Sequence, residues 1–536
     1  VETRAERARI AEGEYTTRLA HDRMTPAPGW EGDGALAARD RALLWGTVIL
    51  AATLRVVHIG AQSVWIDEYL TIEVATQKPG YPIWQLLLHN IHGPLHTFFV
   101  FLFKSVSDND GWLRVPSAVA GTATVPLLFA WMRTRFGVRA ALWGAALLAT
   151  SPLHIHYSQE IRNYAFAVAF VMAGAVCADR WIARGGKSRA VAFAVLVAAS
   201  VLSNFSATFS FFAHALSFFR RVGVSRTSIA RFAAATLLVV ILLSPWIYRL
   251  STYVDLGRLA TPVRPGQLEA GERLRGDTTF RAESIPYAAF AYSVGFTLGP
   301  PLRELHEEPS IRRVLSGHGA VVAWVAVLFG TLSVLGVVRG ARAHGRWAVI
   351  EPLLYIAVPL VATLVLNWQN AKAFNVRYVL VGLPMYVALV AVGIASLRSR
   401  LGWLAGGFVV ATCAASLWNH YFDARYAKED VRGAVRAVET RLAPGECIFA
   451  PTVWQIVGRY APAGVPIHYV YGQPPSVVQD QLARLFVQCD SLWYLRARPW
   501  VDDADGSVLA EIDARYARGE ALEFPGVSAI HFTRKP

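Results

Sequence analysis

The sequence predicts a mainly α fold, a polytopic bundle of membrane helices with a small α/β domain at its C-terminal end. Composition is the first observation behind this: 54% of the 536 residues are hydrophobic and only 17% charged, with a mean hydropathy of +0.35. Single soluble cores stop growing near roughly 250–300 residues, so one core cannot hide this much apolar sequence. Periodic apolar runs are the second, because many are long enough to cross about 30 Å of hydrocarbon at 1.5 Å per residue. The third is a change of character after residue 420, where short strand-like and helix-like segments replace the long runs.

Residues 1–41 alternate acid and base before loosening into PAPGWEGDG. No apolar region lies near enough to the start for a standard cleaved signal peptide, so the first span is expected to be a retained anchor behind a cytoplasmic N-terminal segment. Spans are expected at 42–60, 113–132, 139–155, 163–181, 189–203, 205–220, 229–248, 315–338, 347–367, 377–397 and 401–420. The pair split at Ser203-Asn204 is the least regular. GPLHTFFVFLFKSV (93–106) is apolar but short, and fits an interfacial or re-entrant helix better than a crossing.

The connectors holding Arg133/Arg135/Arg139, Arg184/Lys187/Arg189, Arg220/Arg221/Arg226, Arg339/Arg342/Arg346 and Arg398/Arg400 contain no acid, so they are expected to be cytoplasmic. The alternate loops 61–112, 156–162, 249–314 and 368–376 then face outward, as does the tail from 421. Within 249–314, the stretch 285–308 reads either as an interfacial helix that could cover a groove or as an ordinary connector packed on the bundle. The net charge of +14 is spread over short connectors rather than along one polar face, which argues for topology and anionic-lipid contact and against nucleic acid.

The tail, 421–536, reads as a small α/β domain. ECIFAP, PIHYVY, DSLWYLRA and SAIHFTRK look like buried strands, while DVRGAVRAVETRL and DQLARLFVQ have helical apolar spacing. Of four cysteines, Cys177 and Cys413 fall in spans, whereas Cys447 and Cys489 sit in the tail. An oxidising compartment would permit a disulfide between them, although sequence alone does not fix the pairing. No CxxC or paired Cys/His spacing predicts zinc. Neither GxGxxG nor a P-loop is present, and no tandem repeat is visible.

Chemistry is expected in the loop after the first span, where 61–97 carries an acidic pair and three histidines beside the bilayer. Ionisable groups held at a membrane are costly, so they are more often retained for chemistry than for packing. Asp67 and Glu68 are neighbours that project about 100° apart on a helix, so one is expected to work and the other to support. The alternative is a solvated acidic pair at a helix N-terminus. His89, His92 and His96 could be forced into a metal site, but Gly93-Pro94 breaks helical continuity, and hydrogen bonding to substrate or an interfacial role is preferred. Arg114, Arg162 and Arg377, with Tyr378 and nearby Lys372, lie at outward span ends. There guanidinium groups can hold phosphate bidentately or simply snorkel to headgroups.

Taken in order, S-x-W-x-DE after the first span, H-x-PLH, LR-x-PSA, SP-x-HI-x-YSQE-x-R-x-Y and a late RY-x-L-x4-P resemble the bacterial relatives of protein O-mannosyltransferases and aminoarabinose transferases. These are family 39-like glycosyltransferases of the GT-C fold, and the resemblance spans about 40–400. It implies an inverting enzyme that passes a sugar from a polyprenyl-phosphate donor to an acceptor hydroxyl or phosphate on the outer face of a bacterial inner membrane. The acceptor would be a glycan, lipid or protein. By matched position, Asp67 would be the catalytic base with Glu68 beside it. His92 and Pro94 would pack the loop, and Arg114 would be associated with lipid phosphate. Arg162 and Arg377 match less closely. Substrate contacts are expected from His92, His96, Arg114, Tyr157, Glu160, Arg162, Tyr164, Lys372, Arg377 and Tyr378. A phosphate leaving group is already anionic and needs cations more than a general acid, so neither a cofactor nor a divalent metal is expected. Rival readings are a secondary transporter, an assembly scaffold, or a ligase or polymerase using a pyrophosphate-linked glycan.

Overall fold

The computed structural model describes residues 35–76, 80, 82–88, 93–252, 284–307, 310–368, 374–470, 475–499, 503 and 505–536. His89, His92 and Lys372 lie outside the described residues.

The chain enters the bundle through α1 (Ala38–Val56), and the loop that follows folds into α2 (Ile66–Val74), α3 (Ile83–Leu88) and α4 (Pro94–Lys104). At 11 residues α4 is too short to cross a bilayer. It packs instead beside the next long helix, α5 (Asp110–Ala149). The predicted spans 113–132 and 139–155 fall mostly within α5, which is interrupted at Gly137, where φ is +79°. That left-handed backbone, open to glycine, breaks the helix at the predicted connector. The short α6 (Pro152–Ser158) and a turn lead to α7 (Tyr164–Arg184).

Next come α8 (Lys187–Ser203), α9 (Ser210–Val222) and α10 (Arg226–Ser251). Between α8 and α9 the Asn204 side chain accepts the Ser206 N–H at 2.9 Å, capping a 3-10 turn and ending α8 at the irregular Ser203-Asn204 position. The segment expected near 285–308 forms α11 (Ser284–Val294) and α12 (Leu302–Glu307). Ala291, Tyr292 and Val294 are buried in the main core, so α11 is a packed connector rather than a cover over a groove.

The bundle closes with α13 (Ile311–His344), α14 (Arg346–Trp368), α15 (Leu383–Ala395) and α16 (Ser399–Phe422). Helices α13 and α15 cross with backbones nearly touching: a Cβ on Gly336 would meet the Leu389 carbonyl oxygen, and one on Gly393 that of Leu332, at 1.9 and 2.0 Å. Such small-residue crossings are how membrane helices gain packing without a hydrophobic driving force between them. The span expected at 377–397 begins with two 3-10 turns, Val376–Tyr378 and Leu380–Gly382, which leave Arg377 outside the helix proper. Among the described residues six helices, α5, α7, α10, α13, α14 and α16, are by length and composition able to cross a membrane. The chain is a multi-pass integral membrane protein.

Two of the arginines read as topology markers share a pair of acidic partners. At one end of the bundle Arg135 and Arg221 both bind Asp179 and Glu351, which lie just inside the adjoining helices.

The C-terminal domain is a five-stranded sheet in the order β2-β1-β3-β5-β4. Strands β1 (Cys447–Phe449), β2 (Ile467–His468) and β3 (Ser491–Ala497) are parallel, and β4 (Tyr516–Phe524) and β5 (Val527–Arg534) form an antiparallel hairpin beside β3. Helices α17 (Val431–Glu439), α18 (Trp454–Tyr460), α19 (Pro475–Gln488) and α20 (Ser507–Arg515) complete it. Cys447 and Cys489 form a disulfide, 42 residues apart in sequence. His468 lies near both sulfurs, but their bond leaves no thiolate there for a metal.

Candidate active site

Helix α2 begins with Trp65 extended before it, and its first turn carries Asp67 and Glu68. Carboxylates are favoured there by the positive helix end. Glu68 reaches back to accept the Trp65 N–H at 3.3 Å, so it also caps the helix. The two neighbours then meet opposite environments.

Glu68 is 0% exposed and held from four directions. Arg114 binds it bidentately, Nε to Oε1 and Nη2 to Oε2, each at 2.9 Å. The Ile161 N–H donates to Oε1 at 2.8 Å, and Lys428 Nζ lies 3.7 Å from Oε2. Burial alone would raise its pKa, but Arg114, Lys428 and the Ile161 N–H overcome it and hold the carboxyl at about 2. Glu68 is a locked anion that pins α2 to the start of α5.

Asp67 is 23% exposed. Its Oδ2 accepts from Arg377 Nη1 at 2.7 Å and lies 3.9 Å from Arg162 Nη2. Its Oδ1 makes no hydrogen bond among the described residues. Arg162 is buried and donates Nη1 to the Asp67 carbonyl and to Thr71 Oγ1, both at 3.0 Å, so it fixes the helix that bears the acid. Arg377 is positioned by the Asn375-capped 3-10 turn. The guanidinium lies 5.3 Å from the Tyr378 ring and 6.0 Å from the Trp65 ring, and its Nε is buried without a hydrogen-bond partner among the described residues.

Several residues expected to touch substrate are placed elsewhere. Arg114 is 1% exposed. Its five N–H groups go to Glu68 twice and to the carbonyls of Ile59, Gln62 and Ser63, leaving no donor for a phosphate. His96 is buried beneath the site, with Nε2 3.2 Å from Ser117 Oγ and its ring edge-on to Phe166. Tyr157 and Tyr164 are buried and pack edge to face with centroids 5.0 Å apart, Tyr164 supporting Arg162 from below. Glu160 is buried too, 2.7 Å from Lys428 Nζ. Burial raises its pKa more than Lys428 lowers it.

Lys428 had no sequence signal. It lies in the linker between α16 and the C-terminal domain, 268 residues from Glu160. Asp110, at the first turn of α5, is likewise invisible in the sequence as a site residue, yet it gathers Arg432, Arg459 and Tyr460 from the C-terminal domain. The tail residues gave no hint, since their partners are set only by tertiary folding.

Among the described residues the arrangement is a cation-rich cluster with one partly exposed carboxylate, Asp67. It can take a proton from a small nucleophile and hold an anion against Arg377.

Comparison with known proteins agrees with the architecture. Residues 91–248 match the family model for dolichyl-phosphate-mannose-protein mannosyltransferase. That stretch holds Arg114, Glu160 and Arg162 but not Asp67 or Arg377. No curated protein sequence matches the chain. Among solved structures, ArnT from Cupriavidus metallidurans in the apo state superposes with a TM-score of 0.53 at 12% identity, over 92% of this chain and 98% of that one. The same protein bound to undecaprenyl phosphate gives 0.50 at 11% identity with the same coverage. The chain therefore has the GT-C fold, with a small sheet domain after its membrane helices, and through residues 91–248 it is similar to the dolichyl-phosphate-mannose-protein mannosyltransferase family.

Proposed function

We propose that the chain is an inverting glycosyltransferase that moves a sugar from a polyprenyl-phosphate donor to an acceptor on the extracytoplasmic face of a bacterial inner membrane. The observation that carries the reading is Asp67. It is a partly exposed carboxylate with Oδ1 open, flanked by Arg377 and Arg162, while both neighbouring acids are sequestered by cations.

In this reading Asp67 accepts the proton of the incoming hydroxyl as it attacks the anomeric carbon from the face opposite the departing phosphate. The leaving phosphate is already anionic and needs no general acid. Arg377 stabilises it, because the unpartnered Nε and an Nη can offer an oxyanion two parallel donors. Charge neutralisation is supplied by side chains, so the proposal includes no divalent metal. A protein of this fold, ArnT, is known bound to undecaprenyl phosphate, which supports a polyprenyl phosphate as the lipid here.

The outward placement has two supports. The site shares its end of the bundle with the disulfide-bearing domain, and disulfides persist in oxidising compartments. The opposite end carries the arginine-rich connectors expected on the cytoplasmic side.

The test is donor turnover by the purified protein in lipid nanodiscs. Polyprenyl-phosphate sugars should release lipid phosphate in an acceptor-dependent way, with polyprenyl-pyrophosphate sugars at least about a hundredfold slower, since Arg377 is placed for a single phosphate. Preference for the pyrophosphate donors would overturn the reading.

A further inference from the structure

The linker between the last membrane helix and the C-terminal domain makes contacts that an appended module has no need of. Lys428 sends its ammonium inward, 2.7 Å from Glu160 Oε1 and 3.7 Å from Glu68 Oε2, and 5.6 Å from the centroid of the Trp65 ring. Two residues on, Asp430 accepts from Ser63 Oγ at 2.8 Å. After two more, the Arg432 N–H donates to Ser63 Oγ at 2.9 Å and its Nη2 to the Gly60 carbonyl at 2.9 Å. Lys428, the N-cap residue Asp430 and Arg432 in the first turn of α17 therefore hold 60–68, the stretch that contains Asp67.

The domain behind the linker grips the same stretch. Tyr460 accepts the Val64 N–H at 3.1 Å and donates to Asp110 at 2.5 Å, and Arg459 and Arg432 bind Asp110 at 2.9 and 3.2 Å. Ile66 and Tyr69 of α2 pack against the domain's own hydrophobic core. The first turn of α2 is thus clamped between the membrane bundle, through Arg114, and the C-terminal domain.

Lys428 also sets the charge of the site. Around Asp67 the described carboxylates are Asp67, Glu68 and Glu160, and the cations are Arg114, Arg162, Arg377 and Lys428. Without Lys428 the cations no longer outnumber the acids, and Glu160 loses the only cation within ion-pair distance among the described residues. Its second oxygen already has no hydrogen-bond partner there. The other groups facing Lys428 are His156 from α6, His420 from α16 and Glu429 beside it in the linker. His156, whose Nε2 lies 3.4 Å from Glu160 Oε1, is kept neutral first by burial and second by Lys428, and the burial remains when Lys428 is removed.

We infer that Lys428 is a positioning residue of the catalytic loop: through it the C-terminal domain orders residues 61–76 and keeps the buried acids beneath Asp67 neutralised. The domain is part of the site rather than a separate binding module. This rests on the reading of Asp67 as the base, but its structural half can be measured without any turnover.

The experiment compares full-length wild type, Lys428→Met, Lys428→Arg and Lys428→Met/Glu160→Gln in lipid nanodiscs. Amide hydrogen exchange is followed over 61–76 and over the sheet of the C-terminal domain, alongside sugar transfer. In Lys428→Met, exchange of 61–76 should rise about tenfold or more while β3 and β5 stay protected, because a local unit opens without global unfolding. Transfer should fall about a hundredfold in kcat with the donor KM little changed, the signature of a misplaced catalytic group rather than a lost binding contact. Lys428→Arg should recover most of both, and removing the stranded carboxylate in the double variant should restore protection and part of kcat. If Lys428→Met does not survive purification, Lys428→Gln, which also removes the charge, takes its place with the same expected rise in exchange. Unchanged exchange over 61–76 in the charge-removing single variant, or loss of protection spread evenly through the sheet, would overturn the inference. If wild type transfers no sugar, the glycosyltransferase reading fails, and the exchange result still decides whether the clamp exists.

Discussion

The two ends of the bundle each bury a cluster of charges, and they differ in whether the cluster is closed. At one end Arg135 and Arg221 each bind both Asp179 and Glu351, and Ser217 donates to Glu351 at 2.9 Å. Cations and carboxylates balance there. At the other end, among the described residues, four cations meet three carboxylates, and neither Arg377 Nε nor Asp67 Oδ1 has a hydrogen-bond partner. A closed quartet fixes helices α5, α7, α9 and α14 to one another. An open one with surplus positive charge is suited to receive an anion. Buried ion pairs alone are weak evidence of function, and it is the imbalance that marks the working end.

Substitutions at the two ends should have opposite effects on stability and on transfer. Arg135→Met strands Asp179 and Glu351 beside a single arginine, and unpairing buried charges typically costs about 3–5 kcal/mol. Denaturant or thermal unfolding in detergent should register that loss, while transfer per folded molecule stays at the wild-type value. A clear fall in specific activity would mean the closed cluster is also part of the mechanism.

Arg377→Ala at the open end should do the reverse. Hydrogen bonds to charged groups contribute about 1.5–3 kcal/mol, so donor KM or transfer efficiency should worsen roughly tenfold to a hundredfold with little change in the unfolding midpoint. Arg377→Lys should recover only part, since an ammonium cannot offer the two parallel donors.

Acid separates the two ends more gently. The folded-state pKa of Glu68 is depressed to about 2 from an ordinary 4.5 by Arg114, Lys428 and the Ile161 N–H acting against burial. The stability it contributes is complete above 4.5 and is lost as pH falls from there through about 2. Acid unfolding of Glu68→Gln should therefore lack part of the decline seen for wild type in that window. Smallest of all is the effect of a chelator. Transfer should stay within about twofold in excess EDTA, whereas a metal-dependent centre would lose activity and regain it with Mn²⁺ or Mg²⁺.

Much of the frame was legible in the sequence because it follows from local periodicity. Hydropathy located the long helices, and the length of 93–106 kept α4 from being counted as a crossing. The acidic pair and Arg377 were also visible, as ionisable groups at span ends. Partner choice was not legible. Arg114 looks like a phosphate ligand in LRVPSA, yet Glu68, 46 residues earlier, and three carbonyls consume it. His96 reads as a loop histidine but turns inward because Pro94 starts a helix whose buried face includes it. Lys428 and Asp110 carry no local pattern at all, since their roles depend on contacts across some 270 to 350 residues. Strand β4, YARGEALEF, escaped for a simpler reason: it is mostly exposed and shows no apolar alternation.

The two adjacent acids divide the work, Asp67 as the base and Glu68 as the anchor of α2. The most direct test of that division measures sugar transfer and the unfolding midpoint of Asp67→Asn and Glu68→Gln in matched preparations. Asp67→Asn should lose about 10³-fold in turnover while keeping its unfolding midpoint and its affinity for polyprenyl phosphate, and Glu68→Gln should show its main loss in the midpoint. A Glu68→Gln protein of normal stability with no turnover, beside an active Asp67→Asn, would contradict it.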